Sequence, residues 1–181
     1  MAMKKVAIFC SSSYTVDPVY NEAAARLVDC LADAGYAMVS GCTVKGTMGV
    51  IGREAEKKGM YHIGYIPRFM KGLEFPTGGE LHWTDTMSER KEKMREDTVA
   101  VIALPGGIGT LDELVETHNL GRLNIYKGRL FALNTRGFYD PYKNLLDHYL
   151  KAEMMDRASR NLICFPETPE ELVEMLLKEQ V

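Results

Sequence analysis

At 181 residues the chain is long enough for one domain with a sizeable core, and its 46% hydrophobic and 26% charged content is that of a soluble globular protein. A net charge of -3 argues against nucleic-acid binding but leaves room for a local basic pocket that takes a small anion. Cys10, Cys30, Cys42 and Cys164 form no CxxC pair, no apolar run approaches the roughly 18 residues of a membrane span, and no cleavable signal precedes the first strand. The expectation is a cytoplasmic protein with reduced thiols and no membrane partner.

The first strand is read over residues 4–10, followed by the polar turn Ser11-Ser12-Ser13. Asp17-Pro18 has the form of an N-cap with proline at the first helical position. Ala24, Leu27, Val28, Leu31 and Ala34 then keep helical spacing until Gly35 stops the helix. A second strand over 36–40 ends at Gly41; a helix over 47–58 closes at Gly59; a third strand covers 60–66. This β-α-β-α-β opening predicts an α/β fold, a Rossmann-like doubly wound parallel sheet with helices on both faces, in a single domain. Residues 67–80, broken by Pro67, Gly72, Pro76, Gly78 and Gly79, read as a loop near the ligand edge. A short strand is expected over 81–85, before a charged helix that begins at Met87.

The rest of the chain is organised around the stretch from Met87 to Glu116. Residues 99–104, VAVIAL, are continuous, apolar and β-branched, as expected of a strand buried on both faces. Pro105-Gly106-Gly107-Ile108-Gly109 turns the chain into a helix that Thr110 opens, and Thr110 to Glu113 has the spacing of a capping box. A glycine turn feeding a helix N-terminus offers unpaired N–H groups and a positive dipole end, which suit a phosphate. Further strands are expected over 129–134 and 161–165, and helices over 139–150 and from Thr168 to about Glu179.

Several chemistries are disfavoured. The first strand–helix turn, CSSSYTVDP, lacks the GxGxxG of a dinucleotide-binding dehydrogenase. Gly41 to Thr47 imitates P-loop spacing but has no lysine after its second glycine, so triphosphatase chemistry is out of place. Gly46 and Thr47 still suit close approach to an anion, and Ser12 sits in a turn that borders the expected crevice or merely satisfies its own backbone. His62, His82, His118 and His148 have no metal-ligand spacing, and no GxSxG elbow is present. Arg90 and Lys91 lie in a charge run that reads either as a solvated face or as cationic groups for an anion.

The pair Arg90-Lys91, followed across a buried strand by Pro105-Gly106-Gly107-Ile108-Gly109-Thr110-Leu111-Asp112-Glu113, resembles the RK…PGGxGTxxE signature of the LOG ("lonely guy") family. VAIFCSSS, Gly46-Thr47-Met48-Gly49 and GFYDPYKNLL extend the similarity over most of the chain. The resemblance implies a Rossmann-like homodimer with no metal or redox cofactor. It further implies hydrolysis of the N-glycosidic bond of an adenosine monophosphate, N6-substituted or plain, to free base and ribose 5-phosphate. Arg90 and Glu113 would be the catalytic pair, with Arg90 either holding the carboxylate ionised and oriented or contacting the nucleotide itself. Gly106, Gly107, Gly109 and Thr110 would grip the phosphate, and Met87 and Lys91 would border the nucleotide. A non-catalytic nucleotide-binding or carrier module with the same loop is the alternative. Lysine decarboxylation would need a pyridoxal-type cofactor, and nothing marks a Schiff-base lysine. The family's FCGSS and GGGxxGLMG read differently here, at Ser11 and at Cys42-Thr43, and Lys45 adds a charge.

Overall fold

The structure, a computed structural model, describes residues 3–178. The strands are β1 Lys5–Phe9, β2 Ala37–Ser40, β3 His62–Pro67, β4 Glu80–Thr84, β5 Thr98–Ala103, β6 Arg129–Ala132 and β7 Ile163–Cys164. They form one sheet in the order β4-β3-β2-β1-β5-β6-β7, with every pairing parallel. The helices are α1 Pro18–Asp33, α2 Gly46–Lys57, α3 Met87–Arg95, α4 Ile108–Arg122, α5 Asp140–Lys151, α6 Arg157–Arg160 and α7 Pro169–Lys178. The expected end of the last helix at Glu179 lies outside the described residues.

The period-two alternation of β1 sends Val6 and Ile8 to one face of the sheet and Ala7 and Phe9 to the other. On the first face Leu27 and Leu31 of α1, Ile51 of α2 and Leu172 of α7 close a core with Ile102 of β5. On the second, Met94 of α3, Leu114 of α4 and Leu146 of α5 pack over Phe9 and Val101. Each such side chain, fully withdrawn from water, contributes roughly 1.5–3 kcal/mol, which is why β1 and β5 can be apolar on both faces. Local signals set the helix ends: Asp17 Oδ1 accepts from Val19 N at 3.0 Å to start α1, and Gly35, at φ 78°, ends it. Thr168 Oγ1 likewise accepts from Glu171 N at 3.2 Å before α7.

The topology reverses at β1, which has β2 on one side and β5 on the other. Loops leaving the carboxyl ends of those two strands diverge and open a crevice there. The stretch 67–80 contains a short 3-10 turn, Arg68–Met70, and is pinned to the loop after β2. Thr43 bridges Glu74, Val44 N donates to Leu73 O at 2.9 Å, and Phe75 N donates to Cys42 O at 2.8 Å. The one-turn helix α6 has no counterpart in the sequence reading, because four residues are too few to show a period. The helix after the glycine turn also starts earlier than expected. Gly107 is the N-cap of α4 and Ile108 its first residue, which places Thr110 inside the first turn, so the Thr110–Glu113 capping box does not form.

Candidate active site

At this switch point four segments close round a cleft of about 420 Å³. They are the serine turn after β1, the 43–48 turn after β2, the N-terminal half of α3 and the start of α4, and Met70 of the 3-10 turn adds a fifth contact to the wall. Ser12, Met87, Gly107, Gly109, Thr110, Arg90 and Glu113 all line it. So do Ser11, Ser13, Lys45 and Ile108, which flank the expected contacts, and Cys10, Thr43, Met48, Met70 and Asp112, to which the sequence pattern gives no role.

Arg90 is buried, with 4% of its surface exposed, although it sits in a run of charges. Its Nε donates to Tyr65 O of β3 at 3.0 Å, and one terminal nitrogen donates to Glu113 Oε1 at 3.3 Å. The other terminal nitrogen occupies room that Gly41 leaves vacant, since a Cβ built there would come within 1.7 Å of it. Gly41 therefore shapes the site without lining the cleft. The signal for it was present in the glycine pattern after β2, but pattern alone does not reveal what fills the missing side chain's space.

Glu113 is 7% exposed and faces Arg90 from the second turn of α4. Burial pushes its carboxyl up to about 7, while the Arg90 guanidinium pulls it down. The two influences oppose each other, and burial is the larger. With no capping role, Glu113 is a buried acid whose only hydrogen-bonded side-chain partner among the described residues is Arg90. The nearby Cys10 thiol is also pushed up, by burial first and then by the Glu113 charge.

The N–H groups of Ile108, Gly109 and Thr110 have no intrahelical acceptor, because the first α4 bond runs from Leu111 N to Gly107 O at 3.0 Å. Gly107 and Gly109 face open space, so a ligand can approach their backbone. Gly106 does not line the cleft. A Cβ there would lie 2.2 Å from Thr110 Oγ1, and Gly106 instead makes room for that hydroxyl.

Three expected contact residues stand behind the cleft wall. Gly46, at φ 52°, packs against the backbone of Ser12 and Ser13, so closely that a Cβ would come within 2.4 Å of Ser13 O. Thr47 Oγ1 donates to Asn21 Oδ1 at 2.9 Å and ties α2 to α1. Lys91 does not line the cleft; its Nζ donates to Asp112 Oδ2 at 2.8 Å and pairs with Glu116, joining α3 to α4. Among the described residues no group of three His, Cys, Asp or Glu side chains gathers to hold a metal. His62 is buried against Ser40 Oγ at 2.7 Å and its pKa is pushed down to about 4 by burial, which marks a neutral core histidine. No helix of the described residues is long and apolar enough to cross a membrane.

A family model described as "Possible lysine decarboxylase" matches residues 48–176. The rice (Oryza sativa subsp. japonica) protein named cytokinin riboside 5'-monophosphate phosphoribohydrolase LOG is 34% identical over 181 residues, which cover 98% of this chain and 74% of that protein. Rice LOGL2, named a probable enzyme of the same kind, is 33% identical over 175 residues, 96% of this chain and 72% of its own. Among solved structures, the molybdenum cofactor binding protein of Rippkaea orientalis superposes with a TM-score of 0.70 at 21% identity, over 97% of this chain and 96% of that one. At that identity the likeness speaks for the fold alone. The two rice relatives match nearly the whole chain and the family model spans most of it, the RK and PGGxGTxxE segments included, so the chain belongs to the LOG family.

Proposed function

We propose that the protein hydrolyses the N-glycosidic bond of an adenosine 5'-monophosphate, plain or N6-substituted, and releases the free base and ribose 5-phosphate. The observation that carries this reading is the buried Arg90–Glu113 pair in a cleft whose other wall is the open N-terminus of α4. The 5'-phosphate docks on the amides of Ile108, Gly109 and Thr110, where the helix dipole favours an anion. That contact holds the ribose against Glu113.

As the C1'–N bond breaks, positive charge builds on the ribose ring, and a carboxylate beside it stabilises that charge in a site with little water. Glu113 also accepts a proton from the attacking water as the new C1'–O bond forms. The departing base carries away the electron pair of the broken bond and takes a proton at nitrogen from solvent water, to which Glu113 then returns the proton it accepted. Arg90 touches Glu113 and fixes the direction of its carboxyl. Met48, Met70 and Met87 give the cleft a thioether lining suited to a flat, polarizable base.

The same reading includes a homodimer. Ile108, 82% exposed at the cleft mouth, begins a row of exposed apolar residues, Leu111 and Val115 on α4 with Leu145 and Tyr149 on α5, that a second copy would cover.

The test is to incubate purified protein with AMP and with isopentenyladenosine monophosphate, then separate the products by liquid chromatography. Free base and ribose 5-phosphate are expected from at least one of them. Glu113→Gln should lower turnover about 10²–10³-fold while AMP still binds. Binding by the unaltered protein without product would mark a nucleotide-binding module instead.

A further inference from the structure

We propose that Lys45 is a substrate-binding residue that supplies the second, full positive charge for the 5'-phosphate, opposite the amides of α4. This rests on the nucleotide-monophosphate reading above and adds to it a side chain that the family signature does not contain.

The observation is one of unbalanced charge. Four side chains lining the cleft carry a formal charge: Lys45, Arg90, Asp112 and Glu113. Arg90 is paired with Glu113, and Asp112 with Lys91. Lys45 makes no ion pair with any described residue, although it is half-buried in the wall of the cleft. A cleft whose formal charges otherwise cancel is left with one cation facing it, and the ligand that complements this is an anion.

The position of Lys45 is fixed by its neighbours. Its backbone N donates to Thr43 Oγ1 at 3.4 Å, Thr43 is bridged to Glu74, and the next residue, Gly46, is packed on the backbone of the serine turn. The turn therefore holds Lys45 at the Ser11–Ser13 side of the cleft. It is the N-cap of α2, but its side chain makes no capping bond, so the fold does not use that side chain. A phosphate monoester carries a charge of about -1.5 to -2 near pH 7, whereas a helix N-terminus offers only about +0.5. Lys45 closes that gap, and it should make the site prefer a phosphate monoester to the corresponding nucleoside.

Lys45→Met keeps most of the side chain's length and apolar bulk while removing the charge. Binding of AMP, ribose 5-phosphate and adenosine is measured by calorimetry at several salt concentrations, alongside product formation from AMP. The expected result is AMP and ribose 5-phosphate weakened roughly 10- to 100-fold, with adenosine unchanged. The salt dependence of AMP binding should flatten, and in the hydrolysis assay the loss should fall on KM more than on kcat. Lys45→Arg should restore most of the affinity. Equal AMP affinity in Lys45→Met and the unaltered protein would overturn the proposal and leave the hydrolase reading standing. Equal weakening of AMP and adenosine would also overturn it, because that would reflect a general disturbance of the cleft. AMP binding that depends on Lys45, without any product, would uphold the phosphate grip and discard the hydrolase reading.

Discussion

Gly41→Ala should disable the site from a position outside the cleft lining. The added methyl would lie 1.7 Å from one terminal nitrogen of Arg90 and 2.8 Å from its Cζ, distances that no real contact tolerates. β2 is buried and paired on both sides, so the backbone at its end has little freedom to move. The guanidinium, the far end of a flexible side chain, is the group that yields. Moving it breaks the 3.3 Å contact with Glu113, a charge-assisted bond of the kind worth about 1.5–3 kcal/mol. At about 1.4 kcal/mol per factor of ten, that loss alone corresponds to roughly 10- to 100-fold in rate. The sign of the pH effect follows from the same contact. Arg90 is the largest influence holding the Glu113 carboxyl down against burial, so without it the pKa climbs above about 7 and the acid limb of the kcat/KM profile moves to higher pH. The assay is a pH series of kcat/KM for AMP in both proteins, with a thermal melt to confirm that the variant is folded. A folded Gly41→Ala variant with unchanged kcat/KM and an unmoved acid limb would refute the reasoning, because Arg90 would then not depend on the space that Gly41 leaves.

Other consequences are open to simpler measurements. Glu113 keeps its proton in the fold up to about pH 7, against a value of 4.5 in the unfolded chain, so between those values the folded protein binds more protons. Stability should therefore fall as pH rises through that window, and a melting series from about pH 4 to about pH 8 should lose this slope in Glu113→Gln. Gly106→Ala should distort the first turn of α4, because its methyl would meet both Oγ1 and Cβ of Thr110 and rotation of that side chain does not free the space; AMP affinity read by calorimetry should fall about tenfold or more. Ile108→Glu places a charge at the start of the exposed apolar row, and light scattering should report a monomer for this variant and, if the proposed dimer holds, twice that mass for the unaltered protein.

The order of strands and helices was legible because each buried strand is a short apolar run and each long helix repeats its apolar positions, as at Leu27, Val28 and Leu31. What failed was local. Thr110 and Glu113 have the right spacing for a capping box, but Gly107 ends the turn sooner and Glu113 is drawn inward to the cation of Arg90. Periodicity could not reveal that partner, since the pair is 23 residues apart in sequence. The arginine itself was hidden in a charge run that reads as a solvated face. Lys91, its neighbour in the same motif, is turned away from the cleft and held by Asp112 and Glu116 of α4, because adjacent residues on a helix point about 100° apart. Met70 reaches the cleft only because the 67–80 stretch folds back on the loop after β2, and nothing in its composition encodes that bridge.

The departures from the family pattern have a physical logic of their own. Cys42 stands where the family has glycine and still holds the left-handed conformation, at φ 49°, which costs a side-chain-bearing residue roughly 1 kcal/mol. Its Cβ and Sγ fit because the facing residue on β3 is Gly64, where a Cβ would come within 2.3 Å of Cys42 Cβ. One strand thus gives up the volume that the neighbouring loop takes. Ser11, in place of another family glycine, satisfies its hydroxyl locally by accepting from Ser13 N at 3.0 Å. At neither position do the added atoms displace Arg90, Glu113 or the amides of α4. Gly41 and Gly106 are glycine in this chain as in the family, and there an added carbon would strike Arg90 or Thr110. The chain therefore varies where the fold can house extra atoms and holds to the pattern where those atoms would collide with the groups proposed to do the chemistry.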